Sequence, residues 1–174
     1  SWLIMQGGEI SGNTATGNGG GVYIYRSGSI CNLSGGTIEN NTAGSGGGIY
    51  VNPSNSGQLK LSGAPTVRNN TVSGAANNVY LPSGKTLHIS GVMSSGASVG
   101  ITTQNKNYPV AFSGICDTNY ESFFSSDDAA AQVEYNTGDG TQQGGAMVLE
   151  QRPAQKPDYA SRLAPFWGYD CLIE

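Results

Sequence analysis

The sequence predicts an all-β chain built as a parallel β-helix, a solenoid with three short strands per coil of about 28 residues and a C-terminal β cap, and three observations carry that expectation. Gly7, Gly35, Gly63 and Gly91 stand 28 residues apart, each behind a short polar residue, Gln6, Ser34, Ser62 or Ser90. Apolar residues around these glycines recur with period two, the spacing of a strand that buries one face. No stretch between them carries the 3.6-residue period of an amphipathic helix. A single flat coil cannot bury its apolar face, so copies of the unit must lie on one another at about 4.8 Å per coil.

The first strand of each coil is marked by Leu3, Cys31, Leu59 and Leu87, with Met5, Leu33, Leu61 and Ile89 two residues on. After the glycines a second strand carries Ile10, Ile38 and Val67 inward and ends at a corner holding Asn13, Asn41 and Asn70, then Thr14, Thr42 and Thr71. The third strand is written "GGGVYIY", "GGGIYVN" and "ANNVYLP", with Val22, Ile49 and Val79 inward and Tyr23, Tyr50 and Tyr80 outward. Sharp corners need positive φ, which Gly adopts freely and Asn tolerates. An asparagine repeated at an inward corner can also pass amide hydrogen bonds from coil to coil, so Asn13, Asn41 and Asn70 are expected to form a structural ladder. On that reading Asn41→Ala strands buried polar groups and costs about 1–3 kcal/mol. Ser11, Glu39 and Arg68 share one outward position, where the last two form a register-setting ion pair.

Regularity fails after Gly91. Val99, Ile101 and "YPVAF" are expected to supply one or two shorter coils, and "FSG" from Phe112 echoes the earlier Leu-Ser-Gly pattern. The organisation expected is parallel coils over 1–114, a cap over 115–150 in which "NTGDGTQQGG" joins two strands as a hairpin, and a proline-rich tail or linker over 151–174.

Composition narrows the function classes. Asp, Glu, Lys and Arg make up 11% of 174 residues, against roughly 25% in an average domain. A net charge of −4 gives no footprint for nucleic acid or an anionic membrane. No run reaches the roughly 18 apolar residues of a membrane span. The chain opens "SWLIMQGG", inside a repeat and without an initiator Met, and so reads as a piece of a longer polypeptide. Cys31, Cys116 and Cys171 lie at no metal spacing; buried or free thiols are expected, with a Cys116–Cys171 disulfide as the alternative.

The regular coils carry no catalytic constellation. Glu9 and Glu39 are the only acids in residues 1–113, and they fall at different points of the coil, so no stacked carboxylate pair of the kind glycosidases need is expected. Asp127, Asp128 and Asp139 fit no cation loop and read as solvated surface. His88, the sole histidine, has Asn32 and Lys60 as stacked equivalents and no acid to meet, so it reads as an outward surface residue. "SGKT" at Ser83–Thr86 lacks the first glycine of a P-loop, since Val79 stands there. No cofactor and no metal are expected. What remains is the outer face: Tyr23, Tyr50 and Tyr80 in a column with Tyr25 beside the first, either a weak binding surface for sugar rings or apolar protein patches, or a set of pairs that only stabilise their strands.

"GGEISGNTATGNGGGVYIY" and "GGTIENNTAGSGGGIYV" resemble the repeats of right-handed parallel β-helix surface proteins of bacteria, similar in style to chlamydial polymorphic outer-membrane proteins, over roughly residues 1–113. Ile10, Ile38 and Val67 depart from that family, which prefers Phe there. "NNVYLPSGKTLHISG" and "GASVGITT" resemble closing coils of such proteins in gut-dwelling Gram-positive bacteria. The resemblance implies secretion or surface display and a role in adhesion or the envelope. The function expected is therefore a non-enzymatic, adhesin-like binding or stalk module at the cell surface, with a glycan or protein of the host or cell surface as partner. The alternative is a polysaccharide lyase or hydrolase whose catalytic coils lie elsewhere. The N-terminal coil is expected to expose an unpaired strand edge, either folded over by Trp2 and Leu3 as a partial lid or open to self-association.

Overall fold

A computed structural model describes residues 1–106, 110–136 and 146–152. It is an all-β parallel solenoid of about four coils. The first coil contains β1 (Trp2–Ser11) and β2 (Val22–Ile24), and the second repeats them as β3 (Ile30–Glu39) and β4 (Ile49–Val51). The third contains β5 (Gln58–Gly63), β6 (Thr66–Arg68), a small hairpin of β7 (Thr71–Val72) and β8 (Ala75–Ala76), and β9 (Val79–Leu81); the fourth contains β10 (His88–Met93) and β11 (Ser98–Thr103). Beyond them come β12 (Val110–Ala111), β13 (Ser113–Gly114), β14 (Phe124–Ser126), β15 (Ala131–Asn136) and β16 (Ala146–Gln151).

The 28-residue spacing is the stacking register. Leu3 pairs with Cys31, Cys31 with Leu59, Met5 with Leu33 and Leu33 with Leu61, all in parallel. Ile10, Ile38 and Val67 fall in line, as do Val22, Ile49 and Val79. Their side chains fill one core in which Leu33, Ile38, Ile49, Leu61, Val67, Val79 and Ile89 are almost wholly buried. Such burial is worth about 1.5–3 kcal/mol per side chain, so each added coil is held chiefly by the apolar row it covers. Cys31 belongs to that row, and burial pushes its thiol up to about 12. The Cys116–Cys171 pairing involves residue 171, outside the described residues.

The first two strands expected in each coil are continuous in coils one and two. Gly8 and Gly36, with φ of 81° and 84°, bend the backbone where the register shifts after Met5, yet the ladder resumes on the far side at Glu9–Thr37. Arg68 Nε donates to Glu39 Oε2 at 3.0 Å, the outward ion pair expected from the sequence. With Arg68 largely exposed it contributes at most about 1 kcal/mol.

Coil four departs from the period in two places. His88 and Ile89 pair with Lys60 and Leu61, but Met93 then meets Gly63, so the chain has gained two residues at the bend. The Met93 N–H is taken up by the Tyr120 hydroxyl at 3.1 Å. Farther on, Val99 pairs with Val67 and Ile101 already with Val79. Two residues thus span what took coil three from Val67 to Val79, and the asparagine corner is absent from this coil.

The stack continues through β13 on β10 and β14 on β11, while β12, β16 and β15 form a separate antiparallel sheet. Tyr108 and Pro109 of "YPVAF" lie outside the described residues, and Val110 and Ala111 do not extend the parallel stack: they pair antiparallel with Leu149 and Val148. Ser113 lies over His88, so Phe112 falls at the level of Leu87, and the Leu-Ser-Gly echo is displaced along the strand. Phe112 and Phe124 pack edge to face at 5.0 Å and, with Tyr120, Met147 and Leu149, join the solenoid core. Residues 137–145 between β15 and β16 and the tail from 153 lie outside the described residues. At the opposite end, Trp2 is 74% exposed and paired in strand with Ile30, so it does not fold across the edge as a lid. A residue held in a parallel ladder has its side chain fixed to one side of the sheet and cannot turn over the open edge.

Candidate functional site

Two features run along the stack, one inside a corner and one outside the opposite strand. The inner one begins at the corner after β1 and β3. Gly12, Asn40 and Asn69 take positive φ of 67°, 57° and 56°, and the residue after each faces inward. Bending and laddering are thus divided between neighbouring residues, a division that sequence reasoning merged into one asparagine. Asn13 donates from its backbone N and Nδ2 to Asn41 Oδ1 at 3.0 and 2.9 Å, and Asn41 does the same to Asn70 Oδ1 at 3.1 and 3.0 Å. The Asn41 and Asn70 amides also donate to the carbonyls of Ile10 and Glu39, and of Ile38 and Arg68. Those are carbonyls that the bend would otherwise leave without partners. Asn41 and Asn70 are completely buried, whereas Asn13, at the open end, is exposed.

The ladder has two further rungs outside the repeat. Asn70 donates from N and Nδ2 to Asn78 Oδ1 at 2.9 and 3.0 Å. Asn78 then donates from N and Nδ2 to the two carboxylate oxygens of Asp127 at 2.7 and 2.6 Å, and Thr102 adds its hydroxyl at 2.7 Å. Asp127 is therefore not solvated surface: it is the last acceptor of the ladder. A carboxylate suits that place because it accepts every donor arriving from below and has none of its own to leave unsatisfied. Asp128 points elsewhere and pairs with Lys106 at 3.3 Å, and Asp139 lies outside the described residues. Asp127→Ala is expected to cost about 2 kcal/mol by stranding two Asn78 donors. Asp127→Asn should stay within about 1 kcal/mol of the parent, since one carboxamide oxygen already accepts both donors at every other rung. Urea unfolding of the two variants measures this, and equal losses would contradict the assignment.

The outer feature is the tyrosine column. Tyr23 pairs in register with Tyr50, and Tyr50 with Tyr80. Tyr50 and Tyr80 are stacked with centroids 5.2 Å apart and an interplanar angle of 6°, while Tyr23 meets Tyr50 edge to face at 5.3 Å. Stacked rings stand on edge from the sheet and turn their faces to one another, so the column is not one flat aromatic platform. The exposed surface concentrates at Tyr23 and Tyr25, 39% and 58% exposed, which pack edge to face at 5.3 Å. Asn52 braces this pair, donating to the Tyr25 carbonyl at 3.2 Å, and Asn55 donates to the same carbonyl. Burial raises the Tyr50 and Tyr80 hydroxyls above the ordinary phenol range; the neighbouring phenols Tyr80 and Tyr23 add to the effect at Tyr50. Both stay protonated and able to donate.

Other sequence candidates are scattered. Glu9 pairs with Thr37 and Glu39 with Ser11, so the two acids do not stack, and Glu39 is held by Arg68. His88 lies between Lys60 and Ser113, half-buried, with Nδ1 3.1 Å from Ser113 Oγ. Ser83–Thr86 form a turn between β9 and β10 with no helix following. Among the described residues no three His, Cys, Asp or Glu side chains gather as a metal site, and no helix is long and apolar enough to cross a membrane. No protein-family model matches the chain, and no curated protein or solved structure shows significant similarity to it.

Proposed function

We infer that the chain is a non-enzymatic, adhesin-like binding module of a bacterial cell surface, in which the solenoid is a rigid support and the aromatic corner at Tyr23 and Tyr25 meets a glycan. The observation that carries this reading is the contrast within the column: Tyr50 and Tyr80 spend their faces on each other, whereas Tyr25 and Tyr23 keep aromatic surface toward solvent. Aromatic faces bind the apolar faces of sugar rings, and Asn52 and Asn55 hold the Tyr25 backbone carbonyl, so the main chain that carries the ring loses little freedom on binding. The resemblance of the repeats to bacterial surface proteins supports display outside the cell. A neutral-glycan array probed with the whole chain tests the reading. Tyr25→Ala is expected to weaken the glycan contact about five- to tenfold, the scale of one aromatic contact, with no release of reducing or unsaturated ends from the bound polymer. Binding unchanged in Tyr23→Ala and Tyr25→Ala, or product release, would overturn it.

A further inference from the structure

Where the strand bearing the tyrosines turns into the next coil, the structure forms an open cleft of about 430 Å³ with its own chemistry. Lys60 on β5 and His88 on β10 are register neighbours, and Lys85 reaches the same cleft from the turn before β10. Two of the four lysines and the only histidine of the chain are thus in one place. Among the described residues no Asp or Glu lines it, although the chain carries 12 acids against 8 lysines and arginines. The ion pairs among the described residues are elsewhere, at Glu39–Arg68 and Lys106–Asp128. Among the described residues, Lys60 and Lys85 therefore face the cleft without a carboxylate partner, and Lys85 Nζ donates to the backbone carbonyl of Asn55. Cations gathered on a rigid scaffold without counter-charge repel one another and are relieved by an anion.

The rest of the lining says what kind of anion. Gln58, Thr86 and Ser113 add an amide and hydroxyls to the same lining. That mixture matches a ligand with sparse negative groups separated by neutral hydroxyls. A nucleic acid is a poor match, since it needs many phosphate contacts and meets a chain of net charge −4. We propose that the Lys60–Lys85–His88 cleft is a binding site for an acidic polysaccharide, its carboxylate or sulfate groups held by the two lysines and its hydroxyls by Gln58, Thr86 and Ser113. The site is distinct from the tyrosine corner, and the inference does not depend on that reading.

Isothermal titration of the whole chain with hyaluronan, dextran sulfate and neutral dextran, alongside a short single-stranded DNA, tests the proposal. Binding to hyaluronan, dextran sulfate or both, weakening with added salt and absent for neutral dextran at this cleft, is the expected result. Hyaluronan alone would identify the carboxylate as the recognised group, and dextran sulfate alone the sulfate. The double variant Lys60→Gln, Lys85→Gln should lose about tenfold or more in affinity, the scale of two charge-assisted hydrogen bonds. Its circular dichroism melt should match the parent. Should that variant fail to fold, protection of Lys60 and Lys85 from amine acetylation by the bound polymer in the parent chain serves instead. No binding of either acidic polymer, affinity unchanged in the folded double variant, unprotected lysines, or DNA bound as tightly as the polysaccharide would overturn the proposal.

Discussion

Asn70→Ala is expected to destabilise the chain by about 3 kcal/mol or more, a fall of roughly 6–12 °C in Tm for a domain of this size. The side chain removed makes five hydrogen bonds in a fully buried position: it accepts from Asn41 N and Nδ2 and donates to Asn78 Oδ1 and the carbonyls of Ile38 and Arg68. A methyl group replaces none of these, and each buried group left alone costs about 1–3 kcal/mol where water cannot reach it. Asn41→Ala should cost less, because the donors it strands belong to the exposed Asn13 and can turn to solvent. Calorimetric melting of both variants checks the order as well as the size. A smaller loss for Asn70→Ala than for Asn41→Ala would contradict the hydrogen-bond directions given above.

Gly48→Ala should cost about 3 kcal/mol, although its backbone needs no positive φ. A Cβ at Gly48 would lie 2.6 Å from the Asn78 carbonyl oxygen, which accepts from the Ile49 N–H, and 2.7 Å from Asn70 Nδ2 in the ladder. Gly21 stands in the same relation to Asn41, and Gly100 to Asn78, at 3.2 and 2.4 Å. The glycine runs therefore exist to let the chain close over each asparagine, not only to turn. Gly17→Ala is the matched control: nothing lies within 4 Å of its Cβ, and it should be neutral or stabilising by up to about 1 kcal/mol. Equal melting temperatures for the two alanine variants would show that the contact at Gly48 relaxes freely.

Legibility in the sequence followed the repeat. Asn13, Asn41 and Asn70 were readable because stacking turns a fixed sequence spacing into direct spatial contact. Asn78 and Asp127 were not: Asn78 joins the same column from within coil three, 8 residues after Asn70, and Asp127 a further 49 residues on, after coil four has dropped its corner and the chain has returned through β14. A carboxylate in a segment of changed composition looks like surface until the donors aimed at it are known. The tyrosine column was visible by its phase, but which rings stack and which stay open depends on side-chain torsions that no spacing encodes. The lysine cleft was hidden for another reason. Lys60 and His88 read as a stacked pair, yet Lys85 arrives from a turn whose path the repeat does not fix.

The ladder also has a direction. From Asn13 to Asp127 every rung gives two hydrogens to the next, and none returns them. A duplicated repeat spliced between the second and third coils would find an acceptor ahead of it and a donor pair behind, so gene duplication can lengthen the interior one unit at a time. Beyond Asp127 the same unit would meet a group that accepts and cannot give. The stack is extensible by internal copying and closed at its carboxylate, a rule for evolution and for protein engineering alike that one acidic side chain imposes.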